Sequence, residues 1–296
     1  MTGLLRRFRD YADFGLRFFV LRREGPFVLG LVTNDSCNLH CIDCRVADIH
    51  GTSMSFERIR AVLTRYYRKG VRFVYIEGGE PYLWRDGALR LKDVVALARE
   101  IGYLKVHVYT NGTRPIDADA DLTWISIDGL GDTFEKIRGI PFERVWRRVS
   151  EFEGAHAIVF VINTVNLFQI REFLEFCARE SPGTRVFFYF HTPYYGIDAL
   201  YLSRAQRQAA VDELLACKRD GLPVMNSRSG LEFYLAGNPG TPVGFWWVVD
   251  QSGEYRCCRA AETPGVCEDC GYAMCGEILQ ARNGRPDALR SLLTSI

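Results

Sequence analysis

Cys37-Asn38-Leu39-His40-Cys41-Ile42-Asp43-Cys44 puts three cysteines within eight residues, spaced C-x3-C-x2-C. The stretch follows an apolar run, Phe27-Val28-Leu29-Gly30-Leu31-Val32-Thr33, bounded by Gly25-Pro26 and Asn34-Asp35. Short, β-branched and flanked by turn residues, that run reads as a buried strand. The cysteines therefore sit on the loop leaving the C-terminal end of a first strand. Three thiolates on one loop can wrap a corner of a cubic iron–sulfur cluster and leave its fourth iron open to another molecule. Structural zinc needs four ligands, in closed C-x2-C pairs. His40 lies between the first two cysteines, where reaching the same metal is awkward. A disulfide would leave one cysteine over.

Bulk properties narrow the rest. The 296 residues suffice for one large α/β domain with a small appendage. Apolar residues at 48% and charged residues at 25% mark an ordinary soluble globular protein. A net charge of +1 gives no argument for a nucleic-acid partner. Ten cysteines without a secretory signal predict a reducing, cytoplasmic setting and metal chemistry. No apolar run approaches the ~20 residues of a membrane span. Residues 4–23 mix Leu4, Phe8, Tyr11 and Leu16 with Arg6, Arg7, Arg9 and Arg17. Such a helix can lie in a membrane interface as a peripheral contact, or pack across the bottom of a barrel with its arginines solvated. Asp10 and Asp13 dilute the positive face and favour packing.

Outward from the cysteines, strands and helices alternate. Ser55 caps a helix to Lys69 with an apolar stripe at Phe56, Ile59, Val62, Leu63 and Tyr66, and Gly70 stops it. Val71–Ile76 is a second strand, and about Leu89–Glu100 the next helix. Val106–Tyr109 and Trp124–Ile127 are strands, followed by a helix at Phe142–Phe152. Ala157–Ile162 is a strand, Phe168–Ala178 a helix, Arg185–Phe190 a sixth strand and Ser203–Lys218 a helix. That alternation implies parallel β/α units with right-handed crossovers. Polar and glycine-rich pieces recur just after strands, on the rim where barrel-type α/β folds carry chemistry.

The piece after the second strand is Glu77-Gly78-Gly79-Glu80-Pro81. Its glycines let the backbone approach a ligand closely, although alone it would read as a tight turn. One β/α unit after C-x3-C-x2-C, it resembles the Gly-Gly-Glu-Pro motif of the radical S-adenosylmethionine (SAM) superfamily. Thr110-Asn111-Gly112, Ser126-Ile127-Asp128-Gly129, Ile137-Arg138-Gly139 and Asn163 are similar to that family's later strand ends, as is Asn166 more weakly. The resemblance covers about residues 25–200 and implies a partial (β/α)6 TIM-type barrel in the α/β class. It implies a [4Fe-4S] cluster on Cys37, Cys41 and Cys44, with SAM on the open iron. Gly78, Gly79, Glu80 and Pro81 would receive the SAM amino group. Arg138 would pair with its carboxylate, and Thr110, Asn111, Ser126, Asp128 and Asn163 would line its ribose and amino-acid parts. Many members carry an aromatic residue before the third cysteine, where this chain has Asp43. The adenine contact then falls to Ile42 or to the segment Phe188–Tyr195.

The tail holds a second cysteine group. Gly244–Val249 and Glu254–Cys258 read as a β-hairpin, followed by Cys267, Cys270 and Cys275. The hairpin, with Gly253 and Cys258 in G-x4-C spacing, resembles SPASM and twitch extensions, which carry auxiliary clusters. The cysteine expected upstream of that glycine is missing. Cys258, Cys267, Cys270 and Cys275 can together hold a second iron–sulfur cluster or a zinc. Cys257 is an alternative ligand or a bystander, and Cys177 and Cys217 read as core residues. The resulting division is an N-terminal amphipathic helix (1–24), the barrel (25–222) and a cysteine-rich C-terminal extension (223–296).

The activity implied by the resemblance is reductive cleavage of SAM, fed by a reductant such as flavodoxin or ferredoxin, with hydrogen abstraction from a lipid, small-metabolite or peptide substrate. The alternatives are a peptide-modifying maturase and a non-catalytic iron–sulfur or zinc protein; the latter would need the cysteines but not the ordered elements at the other strand ends.

Overall fold

The structure, a computed structural model, describes residues 3–44, 51–194, 196–236, 243–261 and 263–295. Helix α1 (Gly3–Gly15) runs into a π-helical turn (Leu16–Val20), then β1 (Val28–Val32), α2 (Phe56–Arg68) and β2 (Phe73–Glu77). A small hairpin, β3 (Arg85–Asp86) and β4 (Leu89–Arg90), precedes α3 (Leu91–Ile101), β5 (Lys105–Thr110) and β6 (Leu122–Ser126). Next come α4 (Gly131–Arg138), α5 (Phe142–Glu151), β7 (His156–Ile162), α6 (Ile170–Glu180) and β8 (Arg185–Phe190). Helices α7 (Arg204–Arg219) and α8 (Arg228–Ala236) lead to β9 (Trp246–Val249) and β10 (Glu254–Arg256), then α9 (Ala273–Arg282) and α10 (Pro286–Ser295).

The main sheet has eight strands in the order β10-β9-β1-β2-β5-β6-β7-β8. The run from β1 to β8 is parallel throughout, so the six expected barrel strands are all present and adjacent. Every cysteine-bearing or glycine-rich loop after these strands leaves from the same end. The outward faces of the strands pack on the helices. Leu31, Ile76 and Val108 meet Ile59, Leu63 and Leu97, and Phe160 and Phe188 meet Phe173 and Leu214. Helix α2 begins as its sequence predicts, with Ser55 Oγ accepting from Arg58 N at 3.2 Å. Gly70, at φ +94°, ends its exit turn in a conformation that glycine takes without strain.

Three features depart from the sequence reading. The tail hairpin is an edge of the barrel's own sheet, because β9 pairs in parallel with β1, Val28 opposite Trp246 and Leu31 opposite Val249. Helix α4, which carries Arg138, was not expected; only Phe134 and Ile137 are buried along it, too thin a stripe to read as helix. Helix α1 does pack on the barrel, through Phe14 against Phe27 and Phe73 and also through polar side chains. Asp10 is buried, within 3.6 Å of the Arg72 guanidinium and 3.1 Å from the Tyr67 hydroxyl. Arg6 donates to the Ile101 carbonyl at 2.6 Å. Leu5 and Phe8 therefore face outward, Phe8 at 74% exposure.

Candidate functional site

The loop after β1 lies directly on the loop after β2. Gly79 N donates to the Asn34 carbonyl and Glu80 N to the Ser36 carbonyl, each at 2.8 Å. Asn34 Nδ2 returns a bond to the Glu80 carbonyl at 3.1 Å. A Cβ at Gly78 would meet the Asn34 carbonyl at 2.4 Å, and one at Gly79 the Ser36 carbonyl at 2.3 Å. The two glycines are thus required by the approach of the chain that leads into Cys37. Further along, Ile42 N donates to the Ile137 carbonyl at 2.9 Å, which fastens the cysteine loop to α4.

Two donors reach the thiols. Asn111 Nδ2 lies 3.7 Å from Cys37 Sγ and 3.1 Å from Asn38 Oδ1, and Arg138 Nη1 lies 3.8 Å from Cys41 Sγ. Cys37 and Cys41 are half-buried and Cys44 is exposed. Burial pushes the Cys41 thiol up to about 12, with Arg138 opposing it. Among the described residues no three His, Cys, Asp or Glu side chains are gathered on a single metal ion. A cubic cluster instead offers each thiolate its own iron. Thiols on one loop, with N–H donors aimed at their sulfurs, fit that group.

The remaining expected residues converge on the same rim, several as internal ties. Glu80 is fully buried. Its Oε1 accepts from Tyr82 N at 3.0 Å and Thr110 Oγ1 at 2.9 Å, and its Oε2 accepts from Asn111 N at 2.7 Å. A carboxylate has about four acceptor positions, so these three donors leave about one for an incoming ammonium. Burial raises the Glu80 carboxyl and the three donors lower it. Asp128, also fully buried, takes Arg138 Nε at 2.5 Å and Val161 N at 2.6 Å. Arg138 is therefore engaged first with Asp128. Asn163 Oδ1 accepts from Val165 N at 2.8 Å, and Asn166 Nδ2 donates to the Asp128 carbonyl at 3.0 Å. Ser126 is half-buried at the end of β6, and Pro81 is buried at the start of a single 3-10 turn. Of the residues suggested for adenine, Ile42 is exposed, whereas Phe188 points outward into the helix-facing core. Tyr195 lies outside the described residues.

All five tail cysteines, Cys257, Cys258, Cys267, Cys270 and Cys275, line one small cavity with Tyr194 and Tyr272. The Cys257 thiol is within hydrogen-bonding reach of Cys258 and Cys275. Cys257 has φ +71°, a left-handed conformation uncommon for a side-chain-bearing residue. Cys177 and Cys217 are buried in the core, as their helical positions predict.

Residues 31–177 match the Radical SAM superfamily. The chain belongs to the radical SAM superfamily. Members of this superfamily are enzymes that bind a [4Fe-4S] cluster and SAM. A probable GTP 3′,8-cyclase of Thermoplasma volcanium is 26% identical over 214 residues, 62% of this chain and 64% of its own. Other curated relatives are matched over as little as 37% of their length. Among solved structures, Streptococcus suis SuiB bound to precursor peptide SuiA superposes with TM-score 0.65 at 14% identity, over 88% of this chain and 65% of that one. Native anSMEcpe with bound AdoMet and Kp18Cys peptide gives TM-score 0.64 at 19% identity, over 83% of this chain and 79% of that one. These two likenesses concern the fold.

Within this radical SAM barrel the structure adds residues that the sequence reading left without a role. Arg259 reaches from the tail to Asp35 Oδ1 at 2.9 Å, and Gln251 Nε2 also donates to Asp35. The chain entering the cysteine loop is thus tied to the tail hairpin. Glu77 ends β2 on the inner face; burial raises its carboxyl and Arg259 opposes the shift. Glu77 opens the Glu-Gly-Gly-Glu-Pro stretch, and in the sequence only its alternation with Tyr75 and Phe73 marks it as inward-facing.

Proposed function

We propose that this chain reductively cleaves SAM at a [4Fe-4S] cluster held by Cys37, Cys41 and Cys44 and abstracts a hydrogen atom from a bound substrate. The observation that carries the reading is the convergence of the loops after β2 and β5 and the end of α4 on the cysteine loop. Asn111 and Arg138 reach its sulfurs, and the Gly79–Glu80 backbone pairs with the residues just before Cys37. When bound, the cluster supplies one electron to the sulfonium of SAM, releasing methionine and a 5′-deoxyadenosyl radical. Asn111 Nδ2 and the Arg138 guanidinium favour the thiolate forms of Cys37 and Cys41 by donating to sulfur. The remaining acceptor position on Glu80, with the Gly78–Gly79 backbone, takes the SAM amino group, and Ser126, Asp128 and Asn163 border its ribose side. Pro81 and Thr110 hold Glu80 in place. The electron comes from a flavodoxin- or ferredoxin-type reductant. Residues 4–23 provide a peripheral membrane contact on a protein otherwise working in the cytoplasm.

We further propose that residues 223–296 act as an extension carrying a second iron–sulfur centre on Cys258, Cys267, Cys270 and Cys275. One cavity gathers these thiols, which supports a shared centre; no three of them converge on a single metal ion as they stand, so zinc, the competing occupant, would need them to close in further. The direct test is replacement of Cys37, Cys41 and Cys44 together by alanine. With SAM and a strong reductant, anaerobically reconstituted wild-type protein should form 5′-deoxyadenosine and the triple variant none. Equal product from both would end the reading.

A further inference from the structure

The half of the barrel opposite the cysteine loop holds a cavity of about 290 Å³. It is bordered by Val28, Phe73 and Lys105, the first residues of β1, β2 and β5, so it occupies the end of the barrel away from the SAM rim. Its inner limit is a layer of Tyr75, Tyr109 and Trp246, in which Trp246 Nε1 donates to the Tyr75 hydroxyl at 2.6 Å. Elsewhere the walls are apolar, with Phe14 and Phe18 on one side and Ile278 and Leu292 on the other. A volume near 300 Å³ lies at the lower end of small-molecule sites.

Two polar groups stand in this apolar lining, Lys105 and His107, two residues apart on β5 and hence on one face. Trp124 Nε1 donates to His107 Nδ1 at 3.2 Å, which places the neutral ring's proton on Nε2. Burial favours that neutral ring, lowering it to about 4. Nε2 is buried and has no hydrogen-bond partner. A buried donor left without an acceptor is costly, and so is directional information about a ligand. The Lys105 ammonium forms no ion pair among the described residues. Lys105 puts a cation on that wall, which calls for an anionic oxygen, the unpartnered His107 N–H lies buried just behind it, and the remaining walls call for hydrocarbon.

The mouth shows where such a ligand comes from. Tyr11, Leu289 and Leu293 both border the cavity and are exposed, so it opens between α1 and α10. Leu293 stands at that opening at 68% exposure, and on α1 and the π-helical turn after it Phe8 and Val20 stand out at 74% and 70%. Exposed Arg7, Arg9, Arg22 and Arg23 flank them. Apolar side chains set among arginines suit the surface of an anionic bilayer. We propose that the cavity binds a single-chain anionic lipid drawn from such a surface. Its anionic head lies against Lys105 and His107, and its hydrocarbon tail runs outward along Phe14, Phe18, Ile278 and Leu292.

Occupancy of this cavity and cleavage of SAM are separable, because the layer of Tyr75, Tyr109 and Trp246 lies between the two. The probe is cis-parinaric acid, whose fluorescence rises in an apolar site, titrated into the full-length protein beside its methyl ester. Saturable one-to-one binding of the acid is expected, with the ester at least tenfold weaker. Lys105→Met should lose at least tenfold for the acid and nothing for the ester, and Lys105→Arg should restore acid binding. Ile278→Trp, which fills the tail path, should weaken both ligands; circular dichroism confirms that each variant is folded. Unsaturable uptake would overturn the proposal, as would equal binding of acid and ester unaffected by Lys105→Met. 5′-Deoxyadenosine formation by the wild-type protein is scored in parallel. A protein that makes it but takes no parinarate sinks the lipid site alone, and one that takes parinarate but makes none sinks the functional reading alone.

Discussion

Asp128 has no exposed surface, and its counterion Arg138 is itself almost covered. Burial raises the Asp128 carboxyl and Arg138 pulls it back, so the pair holds its charge only while intact. Removing one partner of a buried pair costs about 3–5 kcal/mol, because the other charge is left uncompensated. Arg138→Ala is therefore expected to lower the unfolding temperature as well as SAM affinity. Arg138→Met with Asp128→Leu should recover much of the stability but not the affinity, as read by thermal denaturation and SAM binding. Equal stability of Arg138→Ala and wild type would show that the pair contributes only to the ligand. Glu277 is a second buried acid, accepting from Ser227 N at 2.7 Å through Oε1, with no partner on Oε2. Burial raises it to about 7 from an ordinary 4.5. The folded chain then holds this proton more tightly than the unfolded chain. Its contribution is fully present below about pH 4.5, is lost as pH rises through about 7, and is level above that. At 1.36 kcal/mol per unit the loss comes to about 3 kcal/mol. Glu277→Gln keeps the acceptor for Ser227 N and removes the titration. Its unfolding temperature should fall less than the wild type's between pH 5 and pH 8; parallel curves would show that Glu277 does not titrate in this range.

At the scale of the element, the junction of the loops after β1 and β2 is the tightest constraint on the site. A methyl group at Gly79 would lie 2.3 Å from the Ser36 carbonyl and 2.4 Å from the Asp35 carbonyl, and backbone cannot swing aside as a flexible side chain can. Gly79→Ala should displace the cysteine loop while the sheet survives. Iron and sulfide bound after reconstitution should fall well below wild type, with an unchanged far-ultraviolet spectrum; full iron loading would refute this placement. This junction was legible because its residues announce themselves: a continuous apolar run, then cysteines, and another run, then paired glycines. Most of the parallel strands were legible for the same reason, being buried on both faces and so reading as short apolar runs, whereas β5 alternates, with Lys105, His107 and Tyr109 half-buried. Helix α4 was not, since two buried side chains in eight residues give no period to read. The outward turn of α1 was also hidden. Its apolar residues imply burial by hydrophobicity alone, whereas Asp10 and Arg6 find partners on the barrel that only the fold supplies. The roles of Glu80 and Arg138 were half legible. Resemblance gave the charges, and the structure shows how far each is already committed to Thr110, Asn111 and Asp128.

Over the whole molecule, the sheet ends at β8 on one side and at the β9–β10 hairpin on the other. A local hairpin signal cannot say which strand it will join, so the tail's place in the barrel had to come from the fold. The tail spans both edges. Gly271 accepts from Phe190 N and donates to Thr192 Oγ1, both at 2.9 Å, at the exit of β8. Cys257 and Cys258 follow β10 directly, and the cavity they share with Cys267, Cys270 and Cys275 also includes Thr192 and Tyr194. A metal centre there would tie the two edges of the open barrel, so that its binding energy becomes folding energy. Replacing Cys258 and Cys270 together by alanine should remove that centre and lower the unfolding temperature. A contribution of ~3 kcal/mol corresponds to roughly 5 °C in a chain of 296 residues. The same pair of changes in the Cys37/Cys41/Cys44 triple alanine background should give a similar drop, since the first cluster lies on a different loop. In that background, about four irons with matching sulfide per chain would identify an iron–sulfur centre, while one zinc and no iron would replace it by a zinc staple. An unfolding temperature unmoved by loss of Cys258 and Cys270 would mean that Gly271 and the β1–β9 pairing alone hold the barrel's edges together.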